Sequence, residues 1–189
     1  MAIIKKPEQE AKEVAKENVV IASKTLKLLQ EQIEHEFHAE RLYYAIAAWC
    51  DWKGYTQTAK FFSMHAGEEH KHAMSFVNFI QTRGEHAIFP KTEAPTTDFK
   101  DMRAVIDAAL EHEYFISAKI KDIYKSACEE DDLMAKQQAK KFIEEQIEEE
   151  QLFKSLSRWL DVNDGKAGPD FELEVVALHN RESHIIGSL

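Results

Sequence analysis

The chain has 189 residues, 44% of them hydrophobic, enough for one globular domain with an adequate core. Its 34 acidic side chains outnumber 24 basic ones, and the formal net charge of -10 repels nucleic acid and attracts cations. No run approaches the ~18 apolar residues of a membrane span, and the opening Met1 to Pro7 lacks the apolar core of a signal peptide. Cys50 and Cys128 stand in unrelated contexts and read as free thiols, so a cytoplasmic location without membrane contact is expected.

Six Gly and four Pro are few for this length, and stretches rich in Ala, Glu, Lys, Leu and Gln favour helix over sheet. Residues 1–22 read as an N-terminal extension whose charged stretch from Pro7 can prolong the first helix backwards. The pattern then predicts helices over about 23–51, 56–83, 98–128 and 131–160, with Gly84 stopping the second and Asp98 capping the third. Residues 161–189 form a turn-rich segment and tail, with a short amphipathic helix over 171–179.

Loop lengths set the expected topology. The first and second helices, and the third and fourth, are joined by only a few residues, as antiparallel neighbours require. The second connection, residues 85–97, contains Pro90 and Pro95 and is not helical. A helix of ~27 residues is ~40 Å long, and ~13 extended residues at ~3.3 Å each just cover that length. The fold class is therefore all-α: an antiparallel four-helix bundle over residues 23–160, with one long crossover between helices two and three.

Each apolar stripe is interrupted near its middle. The first helix reads Leu29, Ile33, Glu36, Tyr43, Ala47, and the second Phe62, His65, Glu69, His72, Phe76. The third reads Ile106, Ala109, Glu113, Ile116, and the fourth Phe142, Glu145, Gln146, Glu149, Leu152, Phe153. A buried carboxylate without a partner costs several kcal/mol, so one such interruption per helix at matching depth calls for cations. Glu69 and His72, three apart, share one helical face. Carboxylate oxygen with imidazole nitrogen suits iron, manganese or zinc.

These motifs carry a resemblance to a known family. Glu36 followed by Tyr43 and Ala48-Trp49-Cys50, the run His65-Ala66-Gly67-Glu68-Glu69-His70-Lys71-His72, His112-Glu113, and Glu145-Gln146-Ile147-Glu148-Glu149-Glu150 before Leu152-Phe153-Lys154-Ser155 resemble the non-haem bacterial ferritins over about residues 24–160. The resemblance implies a ferritin-like fold that stores iron and oxidises Fe(II) with O2 or peroxide. It implies an A iron site from Glu36, Glu69 and His72. Glu69 would bridge to a B site completed by Glu113, with Glu149 close by and Gln146 supporting. A third iron site would use Glu68, Glu145, Glu148 and Glu149, and Tyr43 would help to supply an electron. The family's homo-oligomeric shell of twenty-four subunits is likewise implied by the resemblance alone.

Bacterioferritin carries a second Glu-x-x-His on its fourth helix; here Glu145 leads to Glu148 and Gln146 to Glu149, so the centre is asymmetric. The alternative is a di-metal oxidase or peroxidase of the same fold that retains its metals and stores none. His70 stands where bacterioferritin-like chains place a haem-binding methionine; histidine can also ligate haem, although haem is not the expected cofactor. His35 and His38 read as surface or interface groups, His112 as a partly exposed hydrogen-bonding residue, and Glu144 and Glu150 as solvated.

Overall fold

The computed structural model describes residues 21–186, with side chains as far as residue 180. The expected N-terminal extension, apart from Ile21 and Ala22, lies outside the described residues, as does the end of the tail. Among the described residues five helices follow one another: α1 Ser23–Lys53, α2 Thr56–Thr82, α3 Met102–Glu129, α4 Leu133–Val162 and α5 Pro169–Ile186. Among the described residues no helix is long and apolar enough to cross a membrane.

Side-chain pairs give the directions. Glu40 and Tyr43 of α1 lie opposite His70 and Phe62 of α2, and Thr25 and Tyr43 opposite Ser126 and Glu113 of α3. Both neighbours therefore run antiparallel to α1, which makes α2 and α3 parallel to each other. Helix α4 runs antiparallel to α3, with Gln146 beside Glu113 and Ser157 beside Arg103.

The crossover follows the length of α1. Gln30 donates to the His86 carbonyl at 2.8 Å and accepts from Ile88 N at 2.9 Å. Further along, Arg41 donates to Thr92 Oγ1 at 2.7 Å, and Phe99 meets Trp49 edge-on. As the strap advances from 86 to 99, its contacts on α1 advance from 30 to 49, roughly 28 Å of helix at 1.5 Å per residue. This is the long crossover that the proline-bearing connection predicts.

Local chemistry sets the helix ends. Gly54 closes α1 at φ 88°, a conformation that costs glycine little. Asp101, not Asp98, caps α3 by accepting from Ala104 N at 3.0 Å; the residues before it stay in the crossover, where Phe99 is buried. Asp132 caps α4 through Met134 N and Ala135 N while pairing bidentately with Arg83 at 2.9 and 3.1 Å.

Helix α5 extends beyond the expected 171–179 at both ends. Pro169 opens it, where a missing N–H costs nothing. Its Phe171, Val175 and Leu178 are buried in the lower core with Trp159 alongside, and Glu172 accepts from Gln57 N and Thr58 N, supplying the cap that α2 lacks on its own. Two apolar clusters result. One contains Ile46, Phe62, Ile106, Phe153 and Phe171; the other contains Leu29, Ile33, Phe76, Ile120 and Phe142. Between them lies the polar middle.

Candidate metal centre

Helical periodicity brings polar groups to the bundle interior. Glu36 is 1% exposed, Glu69 4%, Glu113 1% and Gln146 5%, one from each of α1 to α4. Each lies on the buried stripe of its own helix, three or four residues from apolar neighbours such as Ile33, Ala66, Ala109 and Phe142. His72, half-buried one turn after Glu69, puts Nδ1 3.2 Å from Glu69 Oε2.

Ligand atoms of Glu36, Glu69 and His72 lie within 4.8 Å of one another, so a single ion can be held by all three. Gln32 donates to Glu36 Oε1 at 2.8 Å, while Glu36 Oε2 is buried without a hydrogen-bond partner. Glu113 is held from two sides: Tyr43 donates to Oε1, and Gln146 Nε2 to Oε2 at 2.8 Å. These neutral donors orient the carboxylate without cancelling its charge.

Electrostatics agree with the geometry. Burial, then the neighbouring Glu69, pushes Glu36 well above the usual carboxylate range. Burial, then Glu113, does the same to Glu69, and burial raises Glu113. The Tyr43 phenol is likewise pushed well up by burial and then by Glu113. Such a cluster favours protons or, better, divalent cations over an ionised metal-free state.

The fourth helix departs from its sequence reading. Its buried polar residue is the amide Gln146, whereas Glu149 is half-buried and Glu145 and Glu148 are exposed. Of the residues expected at a third iron site, Glu68 and Glu149 come together, not with Glu145 and Glu148 but with His65. His65 Nδ1 is 3.3 Å from Glu68 and 3.5 Å from Glu149, and ligand atoms of these three also lie within 4.8 Å of one another. Glu145 instead approaches His72 Nε2, at 3.9 Å.

In the sequence His65 is a break in the α2 stripe, one turn before Glu69, and no motif assigns it a ligand role. Its ring sits 4.3 Å from Phe61 and 5.7 Å from Phe153, and its buried Nδ1 has no hydrogen-bond partner. Burial, then His179 and His72, lowers its pKa to about 3, so the ring is neutral and a competent nitrogen donor. Glu150 also differs from expectation: it is half-buried, accepting from Ser117 Oγ at 2.6 Å and Lys154 Nζ at 2.7 Å. His70 faces Glu40 at 3.3 Å.

Carboxylates and imidazoles converging in the middle of an antiparallel bundle define a helical metal-binding protein. The Ferritin-like domain profile matches residues 26–160. The chain belongs to the ferritin family. It is 36% identical over 137 residues to a probable bacterial non-heme ferritin-like protein of Haemophilus influenzae, covering 72% of this chain and 83% of that one. It is 30% identical over 141 residues to a bacterial non-heme ferritin of Staphylococcus aureus, covering 75% and 85%. Its fold matches an open pore ferritin from Archaeoglobus fulgidus with a TM-score of 0.79 at 23% identity, over 84% of this chain and 96% of that one.

Proposed function

We propose that this protein is a ferroxidase that stores iron: it oxidises Fe(II) to Fe(III) with O2 or peroxide and deposits the ferric product inside a homo-oligomeric shell of twenty-four subunits in the cytoplasm. The observation that carries this reading is the trio Glu36, Glu69 and Glu113, buried on three helices and supported by neutral donors. Metal-free, the trio is a cost; with two divalent ions it is neutralised.

Glu36, Glu69 and His72 hold the first iron. Glu69 bridges to the second, completed by Glu113, with Glu149 close by. Two Fe(II) ions give up two electrons together, taking O2 to the level of peroxide, or peroxide to water. Gln146 keeps Glu113 oriented, and Tyr43, hydrogen-bonded to Glu113, lends one electron when oxygen is reduced beyond peroxide and recovers it from a further Fe(II). The second position has fewer ligands and only oxygen donors, which suits iron that is oxidised and then moves on. Glu68, Glu149 and His65 take a third iron, with the exposed Glu145 and Glu148 forming an acidic route away from it.

Glu36→Ala and His72→Ala test the assignment. Each should slow initial Fe(II) oxidation at least ~100-fold while the far-ultraviolet helix signal is kept. Wild-type rates in both variants would place the oxidation elsewhere. Retention of only stoichiometric metal, with no stored iron, would move the assignment to a di-metal oxidase or peroxidase.

A further inference from the structure

One buried polar residue of α1 stands beside the carboxylate centre without a ligand role. Gln32 is 0% exposed and lies one turn before Glu36 on the inner face of the helix, on a line that continues through Ala39 to Tyr43. Its Nε2 donates to Glu36 Oε1 at 2.8 Å, while Tyr43, at the other end of the line, donates to Glu113 across the bundle. One helix thus presents a ligand with a neutral donor on either side of it.

Packing alone gives no reason for an amide at this position. Gln32 Oε1 is buried and has no hydrogen-bond partner, whereas buried polar atoms are ordinarily satisfied. The neighbouring Leu29 and Ile33 are fully buried in an apolar cluster with Phe76, and a leucine or methionine in place of Gln32 would fill similar space without stranding a carbonyl. Turning the amide over would set its oxygen against the Glu36 carboxylate, acceptor to acceptor. The stranded oxygen therefore follows from the bond that the nitrogen makes.

That bond bears on metal binding. It occupies Glu36 Oε1 and leaves Oε2, the oxygen without a partner, for an ion shared with Glu69 and His72. We propose that Gln32 is a positioning residue of the first metal position: by holding Oε1 it fixes the Glu36 carboxylate so that Oε2 is presented to Fe(II) before the ion arrives. Gln32 acts through Glu36 and does not touch the ion. It does for Glu36 what Gln146 and Tyr43 do for Glu113, orienting a carboxylate without cancelling the charge that the ion needs. Loss of a hydrogen-bonding partner behind a metal ligand weakens binding or activity about 10–100-fold. The proposal rests on the assignment of Glu36, Glu69 and His72 to the first iron.

Gln32→Met tests it, because methionine keeps an unbranched side chain of similar length and has no N–H to donate. Anaerobic calorimetric titration of Fe(II) into the metal-stripped full chain compares wild type, Q32M, E36A and Q32M/E36A. Q32M should weaken the tightest Fe(II) binding about tenfold. In the E36A background the same substitution should add no further loss, because its target is already gone. A role confined to packing would instead lower affinity to a similar degree in both backgrounds. Wild-type Fe(II) affinity in Q32M, or an equal loss with and without Glu36, would overturn the proposal. Should Q32M fail to assemble, Q32L enters the same cycle and is read by the same outcomes. Failure of the underlying site assignment shows differently: E36A itself would then leave Fe(II) binding and oxidation unchanged, and the role of Gln32 would fall with it.

Discussion

Glu69→Gln should stabilise the metal-free protein and abolish its stabilisation by iron. Glu69 is 4% exposed and faces Glu36 and Glu113 as well as His72. Burial, then Glu113, raises its pKa well above the ordinary value of 4.5. Between that ordinary value and the raised one, the folded chain keeps a proton that the unfolded chain has released. Native stability therefore falls as pH rises through this window. Glutamine keeps the shape, lacks the ionisation and removes that loss. Replacing buried charge with a neutral group of similar volume commonly gains about 1–4 kcal/mol, and about 2 kcal/mol raises the melting temperature by about 4–8 °C in a chain of this size.

The assay is thermal unfolding of chelator-stripped wild type and Glu69→Gln at pH 4 and pH 8, at matched assembly state. The gain should be present at pH 8 and absent at pH 4, where both states are protonated. Anaerobic Fe(II) at about a hundred times its dissociation constant should then stabilise wild type by about 2.7 kcal/mol and the variant by much less. Destabilisation of metal-free Glu69→Gln at pH 8, or an equal gain at both pH values, would refute the reasoning.

Other residues carry independent expectations. Tyr43→Phe removes one of the two donors to Glu113 while keeping the ring among Phe62, Phe153 and His65; Fe(II) stoichiometry should be kept and the fast oxidation phase slowed about tenfold or more in stopped-flow absorbance. Asp132→Ala deletes both the α4 cap and a bidentate partner of a largely buried Arg83, and chemical denaturation should show a loss of about 2 kcal/mol or more. Glu172→Ala uncaps α2 at Gln57 and Thr58. It should cost about 1 kcal/mol, and hydrogen exchange should accelerate in α5 and the first turn of α2 more than in the central bundle.

Much of this was legible in the chain because helical periodicity and loop length are local signals. Heptad spacing placed Glu36, Glu69 and Glu113 on buried faces, and Pro90 and Pro95 marked the connection that has to span the bundle. Periodicity was less informative in the acidic run of α4, where glutamates occupy every face. There only packing separates buried Gln146 from exposed Glu145 and Glu148. The α3 boundary slipped from Asp98 to Asp101 because both are competent caps and the choice depends on burying Phe99 beside Trp49. The joining of the α2 pair His65 and Glu68 to Glu149 of α4, and of His38 to His112 of α3, links residues of different helices and becomes visible only once the helices are packed.

The central claim is most directly tested by adding Fe(II) anaerobically to the stripped protein, exposing it to O2 in a stopped-flow spectrometer, and sizing the same sample. A fast phase that saturates near two Fe(II) per subunit, on a particle able to take up far more iron afterwards, is the result expected. Oxidation at the rate of free iron, with no saturation at that ratio, would contradict it.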